Sequence, residues 1–555
     1  MPADRNSTPR EALLVLALTA VGAILRLWSA DRLGLSQYDE GVYAQSGLWV
    51  YGDARFDEAG AAVMAFAPPG FTVLVGLAYL IALQPSDGAA IAVSQVCGIL
   101  TIPVVAWLGR RTFGPGAGAA SAAFAALSGP HVAYSRMALT DTPLLLAWLL
   151  AMGLGQRFLE RPGVRRALAL GVAVGVAQNF KYSGWIAGVI VATGAVLGLF
   201  SGRREAGRAI AFGGIAAILA LLVYLPWFLF VEAHGGYARL IAHHQTYVGG
   251  WSLWWPHWKL QMAQSVALSG GPKWAIAAWA SAWASGRFIG GPHPGGVREM
   301  IVPGLLIGAA SGLLLTNLSW WIGLGALPII LRAGRPAWTL LATWWLTLTF
   351  LTPFYHPYAR LWLPIHAIGW LALGGLAVNL ASARATGAAP RKSRLGAGLV
   401  VGVVGGLLLT FTAGRRAAPL PGLLGPSDGL RKIVDQEVLP AMGRSGGATI
   451  RTFARPVLYF YLSRRALVAP MERPEGAIPP PHSGDYGLID EAMIPLQRER
   501  EDLRRRLLQA PAANRRFLID VPPATLLDIE PDRAYDPTPG EARALWFLDP
   551  SRHVR

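Results

Sequence analysis

The sequence has few charged side chains and almost no cysteine. Charged residues occupy 15% of its 555 positions, whereas soluble globular proteins carry about 25%. Hydrophobic residues make up 53% of the chain. This composition excludes an ordinary soluble protein and indicates a chain that has lipid as its solvent. The single cysteine, Cys97, excludes an intramolecular disulfide and a multi-cysteine metal site.

Acidic residues are scarcest in the first three quarters of the chain. Residues 1–414 contain 14 Asp and Glu against 28 Lys and Arg, whereas residues 415–555 hold the other 18 acids. The net charge of +17 raises the question of a nucleic-acid partner. The basic residues, however, form short clusters between apolar runs, as in multi-pass membrane proteins. We therefore predict a transmembrane domain over 1–414, a soluble domain over 415–555, and no nucleic-acid partner.

Apolar runs long enough to approach a membrane crossing recur along the first domain. The predicted spans are 11–29, 89–108, 116–131, 143–158, 167–181, 183–200, 209–230, 303–331, 336–353, 361–380 and 395–413. Because 303–331 is long enough for two helices, we expect about 11 to 13 in total. The run 68–84 begins with Pro68-Pro69, is followed by Pro85 and is short for a crossing, so we predict a juxtamembrane or re-entrant helix there.

The basic clusters fix the predicted orientation, because cytoplasmic loops of membrane proteins carry an excess of Lys and Arg. With 68–84 not crossing, six clusters fall on one side: Arg5 and Arg10; Arg110 and Arg111; Arg161, Arg165 and Arg166; Arg203, Arg204 and Arg208; Arg332 and Arg335; Arg391, Lys392 and Arg394. The segments on the other side are 30–88, 132–142, 231–300, 354–360 and 415–555. We thus expect a multi-pass protein of the cell (inner) membrane with these segments outside.

The outer C-terminal segment has the pattern of a small α/β domain. Short apolar runs, including Val457–Leu462, Phe517–Val521 and Ala544–Leu548, alternate with turn-rich stretches. The charged segment Glu491–Leu508 has helical spacing. We therefore predict an α-helical polytopic membrane protein with a small C-terminal α/β soluble domain.

Three acids beside apolar spans are the first candidates for chemistry. Asp39 and Glu40 follow the first span, and Asp141 precedes the fourth. Ionisable groups at a membrane boundary are costly unless they line a cavity, so a functional role is the default. The structural alternatives are a solvated pair for Asp39 and Glu40, and a helix cap for Asp141, which stands between Thr140 and Thr142-Pro143.

Three cations lie on the predicted outer side, against the general bias. They are Arg136, Lys181 and Arg360. Tyr182 directly follows Lys181, and Tyr358 lies two positions before Arg360. A set of Lys and Arg at the outer boundary suits an anionic lipid phosphate. The alternative is that each cation extends to meet lipid headgroups.

Two adjacent histidines, His243 and His244, lie in the outer segment 231–300. Adjacent histidines lack the spacing of about four that a helical two-ligand metal site needs. We expect no metal here, and treat contact with the acceptor or a structural role as the open alternatives.

The order of these motifs resembles a known family. It runs from a first span to Tyr38-Asp39-Glu40-Gly41-Val42-Tyr43, then Ala67-Pro68-Pro69-Gly70, a span ending Gly109-Arg110-Arg111, and Ser135-Arg136-Met137-Ala138-Leu139-Thr140-Asp141. This series resembles the GT-C glycosyltransferases of the protein O-mannosyltransferase and lipid A aminoarabinose transferase type. The resemblance is strong over about 11–230 and weaker to 414.

The resemblance implies a polyprenyl-phosphate sugar donor and an inverting transfer that is metal-independent or weakly metal-dependent. No cofactor is assigned, and a divalent cation stays open. The acid of the first outer loop is the family's usual candidate base, which here is Asp39 with Glu40 as its neighbour. Asp141 corresponds to the acid of the second outer loop. A carboxylate can take the acceptor's proton, and fixed cations such as Arg136, Lys181 and Arg360 can stabilise the leaving phosphate.

The chain departs from the aminoarabinose transferases at Ala67, where they carry a Lys before the double proline. Either another cation holds the donor phosphate or the donor is bound differently. The Trp-Trp-Asp-Tyr-Gly signature of the oligosaccharyltransferases is absent, and Trp254-Trp255-Pro256 does not replace it. Asparagine glycosylation is therefore disfavoured.

Two other functional classes stay open at this point. A polytopic lipid or solute transporter or flippase also carries intramembrane charges, although this chain shows no internal repeat. A scaffold protein would tolerate replacement of Asp39 and Asp141. Within the transferase reading, the acceptor is a lipid, a glycan or a protein, and the sequence names neither the acceptor nor the sugar.

Overall fold

The structure is a computed structural model. It describes residues 7–52, 67–270, 277, 280, 281, 284, 336–385, 420–443, 449–452, 456–470, 485–490, 497–509, 514–519, 521–529 and 543–549. These residues form a large helical bundle and a smaller C-terminal α/β region, which confirms the predicted fold class.

The bundle is built from fourteen described helices. They are α1 (Ser7–Leu27), α2 (Tyr38–Tyr51), α3 (Gly70–Ile81), α4 (Asp87–Phe113), α5 (Ala117–Ala126), α6 (Gly129–Ser135), α7 (Asp141–Glu160), α8 (Val164–Phe180), α9 (Trp185–Phe200), α10 (Ala206–Ala233), α11 (Gly236–Gln245), α12 (Trp251–Ala267), α13 (Pro336–Leu351) and α14 (Leu363–Ala385). Short 3₁₀ turns at Tyr182–Gly184, Thr352–Phe354 and Ala359–Trp362 connect some of them.

Five stretches among the described residues are long and apolar enough to cross a bilayer. They are Pro9–Arg32, Asp87–Phe113, Asp141–Glu160, Tyr182–Phe200 and Ala206–Ala233. Each coincides with a predicted span. The run 68–84 forms only the 12-residue helix α3, as a segment that does not cross fully should. The predicted spans 303–331 and 395–413 lie outside the described residues.

The prediction of one continuous span over 116–131 is wrong. The helix α5 ends at Ala126, and α6 begins at Gly129 with Pro130 in its first turn. Proline has no amide hydrogen to continue the preceding helix, but it is well suited to the start of a new one. After the break, the short helix α6 carries His131–Ser135, all of which are buried.

The two ends of the bundle carry different chemistry. At one end, Arg110 pairs with Glu11 near the start of α1, and Arg111 pairs with Glu160 at the end of α7. Arg203, between α9 and α10, donates to the Thr339 hydroxyl near the start of α13. The described basic clusters thus gather at one end. The starts of α2 and α7, which carry Asp39 and Asp141, lie at the other.

The C-terminal α/β region contains a five-stranded mixed sheet. Its strands are β1 (Ile450–Thr452), β2 (Val468–Pro470), β3 (Tyr486–Asp490), β4 (Asn514–Ile519) and β5 (Arg543–Leu548), in the order β2-β1-β3-β5-β4. The strand β1 pairs in parallel with β2 and β3, whereas β5 pairs antiparallel with β3 and β4. The apolar run Val457–Leu462 is helical, and the other two runs contribute to β4 and β5.

Helices cover the sheet. Those of this region are α15 (Leu420–Leu423), α16 (Gly429–Ile433), α17 (Leu439–Gly443, joined to α16 by a π-helical turn), α18 (Pro456–Leu462), α19 (Gln497–Leu508) and α20 (Pro523–Ile529). Because side chains alternate along a strand, Leu488 packs with α16–α18 while the next residue, Ile489, packs with Leu503 of α19.

The C-terminal α/β region shares one hydrophobic core with the end of the bundle that carries Asp39 and Asp141. Leu48 of α2 and Tyr79 of α3 belong to the same buried cluster as Val457, Phe460 and Tyr486. The backbones of α2 and α18 approach closely at Gly41, where an added methyl carbon would lie 2.2 Å from the Val457 amide nitrogen. Glycine at this position therefore allows the two parts to dock.

We expect Gly41→Ala to loosen the docking of α18 on α2. The added methyl group meets backbone atoms, which cannot rotate away, so the free energy of unfolding should fall by about 1–3 kcal/mol. Thermal melting and limited proteolysis of the purified protein measure this. The control is Gly88→Ala, because nothing lies within 4 Å of that position. Equal stability of the two variants would contradict the close approach.

Candidate active site

A capping box places Asp39 in the first turn of α2. The Gln37 side-chain oxygen accepts from the amides of Asp39 and Glu40 at 2.6 and 3.3 Å. In return, Glu40 Oε2 accepts from the Gln37 amide at 2.8 Å. These reciprocal bonds satisfy amides that the helix leaves unpaired and fix the start of the helix. The Asp39 side chain is left 34% exposed, so a substrate can reach it.

Glu40 does not face the same way as Asp39. Its carboxylate is buried and accepts from the amides of Ser36, Gln37 and Ala138, each at 2.8 Å. Burial raises the pKa of Glu40, and these donors oppose that rise. The bond to Ala138 ties the segment that carries Asp39 to the loop that leads to Asp141. The contacts of Glu40 are those of a positioning group, although the prediction grouped it with the catalytic acids.

Asp141 is the first residue of α7 and is 3% exposed. Its Oδ1 lies 2.6 Å from the ammonium of Lys181, which follows the last residue of α8. The positive end of the α7 dipole also favours a carboxylate at this place. The alternative of a helix cap alone therefore does not describe Asp141, because it also forms a buried ion pair.

Arg360 brings the two acidic loops together. Its Nη2 lies 2.8 Å from Asp39 Oδ2, and its Nε lies 4.0 Å from Asp141 Oδ2. Its guanidinium carbon lies 4.7 Å from the centre of the Tyr358 ring. Asp39, Arg360, Asp141 and Lys181 thus form a row of alternating charge, which we call the charge row. Its members come from four separate parts of the chain.

The low exposure of the charge row decides its electrostatics. The Arg360 and Asp141 side chains are 9% and 3% exposed. Attraction between charges is several-fold stronger in such surroundings than in water. An unpaired charge there is correspondingly costly. An anion placed among these side chains would therefore be stable only in contact with one of the two cations.

Aromatic side chains form a wall beside the charge row. The backbone joins Tyr247 to the segment around Tyr355, since the His356 amide donates to the Tyr247 carbonyl at 2.8 Å. The two tyrosine rings stack with their centres 5.8 Å apart. Burial raises the pKa of Tyr355 to about 12, so its hydroxyl stays protonated and can donate a hydrogen bond. Such rings offer flat apolar faces near Asp39.

The structure places the predicted substrate-contact residues in or near this wall. His244 Nδ1 lies 3.2 Å from the Tyr355 hydroxyl, and the Tyr182 ring lies edge-on to His244 with centres 5.6 Å apart. The His243 ring packs edge-on to Tyr247. Tyr358 supports Arg360. Within the described part of the chain, no group of three His, Cys, Asp or Glu residues is placed to hold a metal ion.

Arg136 is placed away from the charge row. Its Nη1 donates to the Trp28 carbonyl at 2.6 Å, and its Nη2 donates to the carbonyls of Leu424 and Gly425 at 3.0 and 3.3 Å. Burial lowers the pKa of Arg136 to about 10. These bonds connect the end of α1 to the C-terminal α/β region. The contacts of Arg136 are those of a structural link, and the phosphate role predicted for it stays a prediction.

Sequence reasoning missed two sets of supporting residues. The first is Tyr43, one turn after Asp39 in α2, which is hydrogen-bonded to Thr140, next to Asp141. Its spacing of four from Asp39 was a usable signal.

The second set joins the loop before Asp39 to the C-terminal α/β region. Tyr461 donates to Asp87 at 3.0 Å and accepts from the Leu35 amide at 2.8 Å, while Arg431 contacts both Asp87 oxygens. Nothing in the sequence pairs such distant positions.

Part of the chain matches a known protein family. Residues 67–230 match the family model described as dolichyl-phosphate-mannose-protein mannosyltransferase. This segment contains Asp141 and Lys181 of the charge row. Among curated proteins, none matches the sequence.

Solved structures match almost the whole chain. ArnT from Cupriavidus metallidurans bound to undecaprenyl phosphate is 15% identical, with a TM-score of 0.52 over 96% of this chain and 97% of that chain. Its apo form is 14% identical, with a TM-score of 0.51 over the same shares. The oligosaccharyltransferase of Archaeoglobus fulgidus is 13% identical, with a TM-score of 0.49 over 86% and 68%. The chain thus has the GT-C fold, and the resemblance to the O-mannosyltransferase and aminoarabinose transferase type is confirmed.

We expect Lys181→Met to destabilise the protein by leaving Asp141 short of a counterion. Breaking a buried ion pair costs about 3–5 kcal/mol. Because Lys181 is 25% exposed, we expect a reduced loss of about 1–3 kcal/mol in the free energy of unfolding. Adding Asp141→Asn removes the buried charge and should recover most of this loss. Thermal melting in detergent measures both variants.

The control for this pair is Arg208→Gln, which removes a cation from an exposed pair with Glu205. Such surface pairs contribute little, so its melting should be unchanged. If Lys181→Met melts like the wild type, the charge row does not depend on Lys181.

Proposed function

We propose that this protein is an inverting glycosyltransferase that moves a sugar from a polyprenyl-phosphate donor to a hydroxyl or phosphate acceptor. The observation that supports this most directly is the charge row, which sets an accessible carboxylate, Asp39, beside Arg360, with Lys181 paired to Asp141 in the same row. Sugar transfer from a phosphate donor needs both kinds of group at one place. The carboxylate takes the acceptor's proton, and the cations stabilise the phosphate that leaves. The matches above support the transferase class.

In the proposed reaction, Asp39 is the base. The acceptor oxygen forms a bond to the anomeric carbon as its O–H bond breaks and its proton passes to the Asp39 carboxylate. The bond from the anomeric carbon to the phosphate oxygen breaks on the opposite side, and its electron pair stays on the phosphate. Attack from that side inverts the configuration of the anomeric carbon.

The leaving phosphate gains negative charge, which the cations of the charge row stabilise. Arg360 offers a planar set of donors that matches a phosphate, and its position over Tyr358 orients it. Lys181, which Asp141 holds in place, adds a second positive charge to the row. This arrangement supplies the cation that the sequence lacks at Ala67. The ArnT crystal structure contains undecaprenyl phosphate, and we extend this class of lipid to the donor of this chain.

We further propose that the charge row faces the outside of the cell membrane. The described basic clusters lie at the opposite end of the bundle, and such clusters favour the cytoplasmic side. The C-terminal domain, 415–555, is then extracytoplasmic as well. Its contacts with the loop before Asp39 support a role in holding that loop. The aromatic wall of Tyr247 and Tyr355, together with the neighbouring His244, is the proposed contact surface for a sugar ring.

We expect Asp39→Asn to lower sugar transfer by about 10²–10⁴-fold, because an amide cannot accept the acceptor's proton. The assay measures label moved from a panel of polyprenyl-phosphate sugars to a cell-envelope acceptor by the purified full chain. Asp31→Asn is the control, since Asp31 is an exposed acid of the same loop. Equal transfer by wild type and Asp39→Asn would rule out the base role of Asp39.

A further inference from the structure

Arg360 holds its two carboxylate neighbours unequally. The contact to Asp39 is within hydrogen-bonding distance at 2.8 Å, whereas the approach to Asp141 is 4.0 Å. Asp141 is itself held at 2.6 Å by Lys181. In this arrangement Arg360 occupies an oxygen of Asp39, and a carboxylate oxygen that accepts from a guanidinium is less available to accept a proton from a substrate.

Asp141 can accept a further hydrogen bond on the side that faces Arg360. Its Oδ2 is buried and has no hydrogen-bond partner among the described residues. A buried carboxylate oxygen without a donor is costly, so an arrangement that brings a protein donor to Oδ2 would be favoured. The Nε of Arg360, 4.0 Å away, lies about 1 Å beyond hydrogen-bonding distance. A small movement of Arg360 away from Asp39 would satisfy Asp141.

The charges of the row balance before any substrate is present. Asp39 and Asp141 together offset Lys181 and Arg360. A phosphodiester brings a third negative charge next to two cations. Like charges at close range disfavour one another in surroundings of low dielectric constant. Phosphate and Asp39 are therefore competitors for the same guanidinium.

On the basis of the proposed function, we propose that the donor phosphate displaces Asp39 from Arg360, and that this exchange frees Asp39 to act as the base. Arg360 turns toward the phosphate and keeps Asp141 as its anchor. The donor binds first, and the acceptor's proton has a site only afterwards. Asp39 thus stays paired with Arg360, and does not act as the base, whenever the donor is absent.

The exchange also accounts for the return of the site to its starting state. After transfer, the proton of the acceptor is on Asp39, which is then neutral, and the released phosphate carries the additional negative charge. Arg360 stays with the phosphate at this stage. When Asp39 loses its proton to solvent, the carboxylate again competes for Arg360 and favours departure of the lipid phosphate.

The test is direct binding of undecaprenyl phosphate to the purified full chain in nanodiscs, followed by microscale thermophoresis. The exchange predicts that Asp39→Asn binds this lipid more tightly than the wild type, because the competitor is gone. If Arg360 is paired with Asp39 about nine-tenths of the time, the gain is about tenfold. Asp31→Asn removes an exposed acid of the same loop and should bind like the wild type.

A second comparison ties the gain to Arg360. Arg360→Gln should weaken binding, and adding Asp39→Asn to it should bring no further gain, since the contested group is missing. Melting curves of each variant show that it is folded. Asp39→Asn binding equal to or weaker than the wild type overturns the exchange, as does an equal gain with Asp31→Asn. Failure of the wild type to bind undecaprenyl phosphate instead contradicts the proposed donor class.

Discussion

The pairing of buried charge at the end of the bundle that carries Asp39 and Asp141 is the constraint on which the arrangement of this protein depends. A carboxylate such as Asp141, almost fully removed from water, is stable only with a cation at close range. Lys181 and Arg360 meet this requirement from the ends of distant helices. The starts of α2, α7 and α14 and the end of α8 are therefore held near one another by electrostatics as well as by packing.

Hydrogen bonds link the loops around the charge row to one another and to the C-terminal α/β region. Glu40 links the loop of Asp39 to the loop of Asp141 through the Ala138 amide. Asp87, Tyr461 and Arg431 link the preceding loop to the C-terminal α/β region. Because these groups are largely buried, loss of one partner leaves another unsatisfied. The C-terminal α/β region is thus part of the support of the site, with which it shares a hydrophobic core.

The same closeness of opposite charges has a chemical consequence. The proposed reaction takes up a proton and releases an anion, so it needs a carboxylate and a cation within reach of one another. These two groups neutralise each other when no substrate is present. The short contact of Arg360 with Asp39, and its longer approach to Asp141, describe one solution. In the proposed exchange, the second carboxylate, Asp141, keeps Arg360 anchored while Asp39 acts as the base.

The sequence by itself determined the membrane class and most of the described spans. It also singled out Asp39, Asp141, Lys181 and Arg360 as candidates, because charge in lipid surroundings is costly and therefore stands out against an apolar background. It could not place Glu40 and Arg136, whose contacts are with main-chain groups that no side-chain pattern reveals. It also missed the break between α5 and α6, since hydropathy does not register a local turn at Ser128. Only the tertiary structure decided which charges meet, because helices far apart in sequence are brought together by packing.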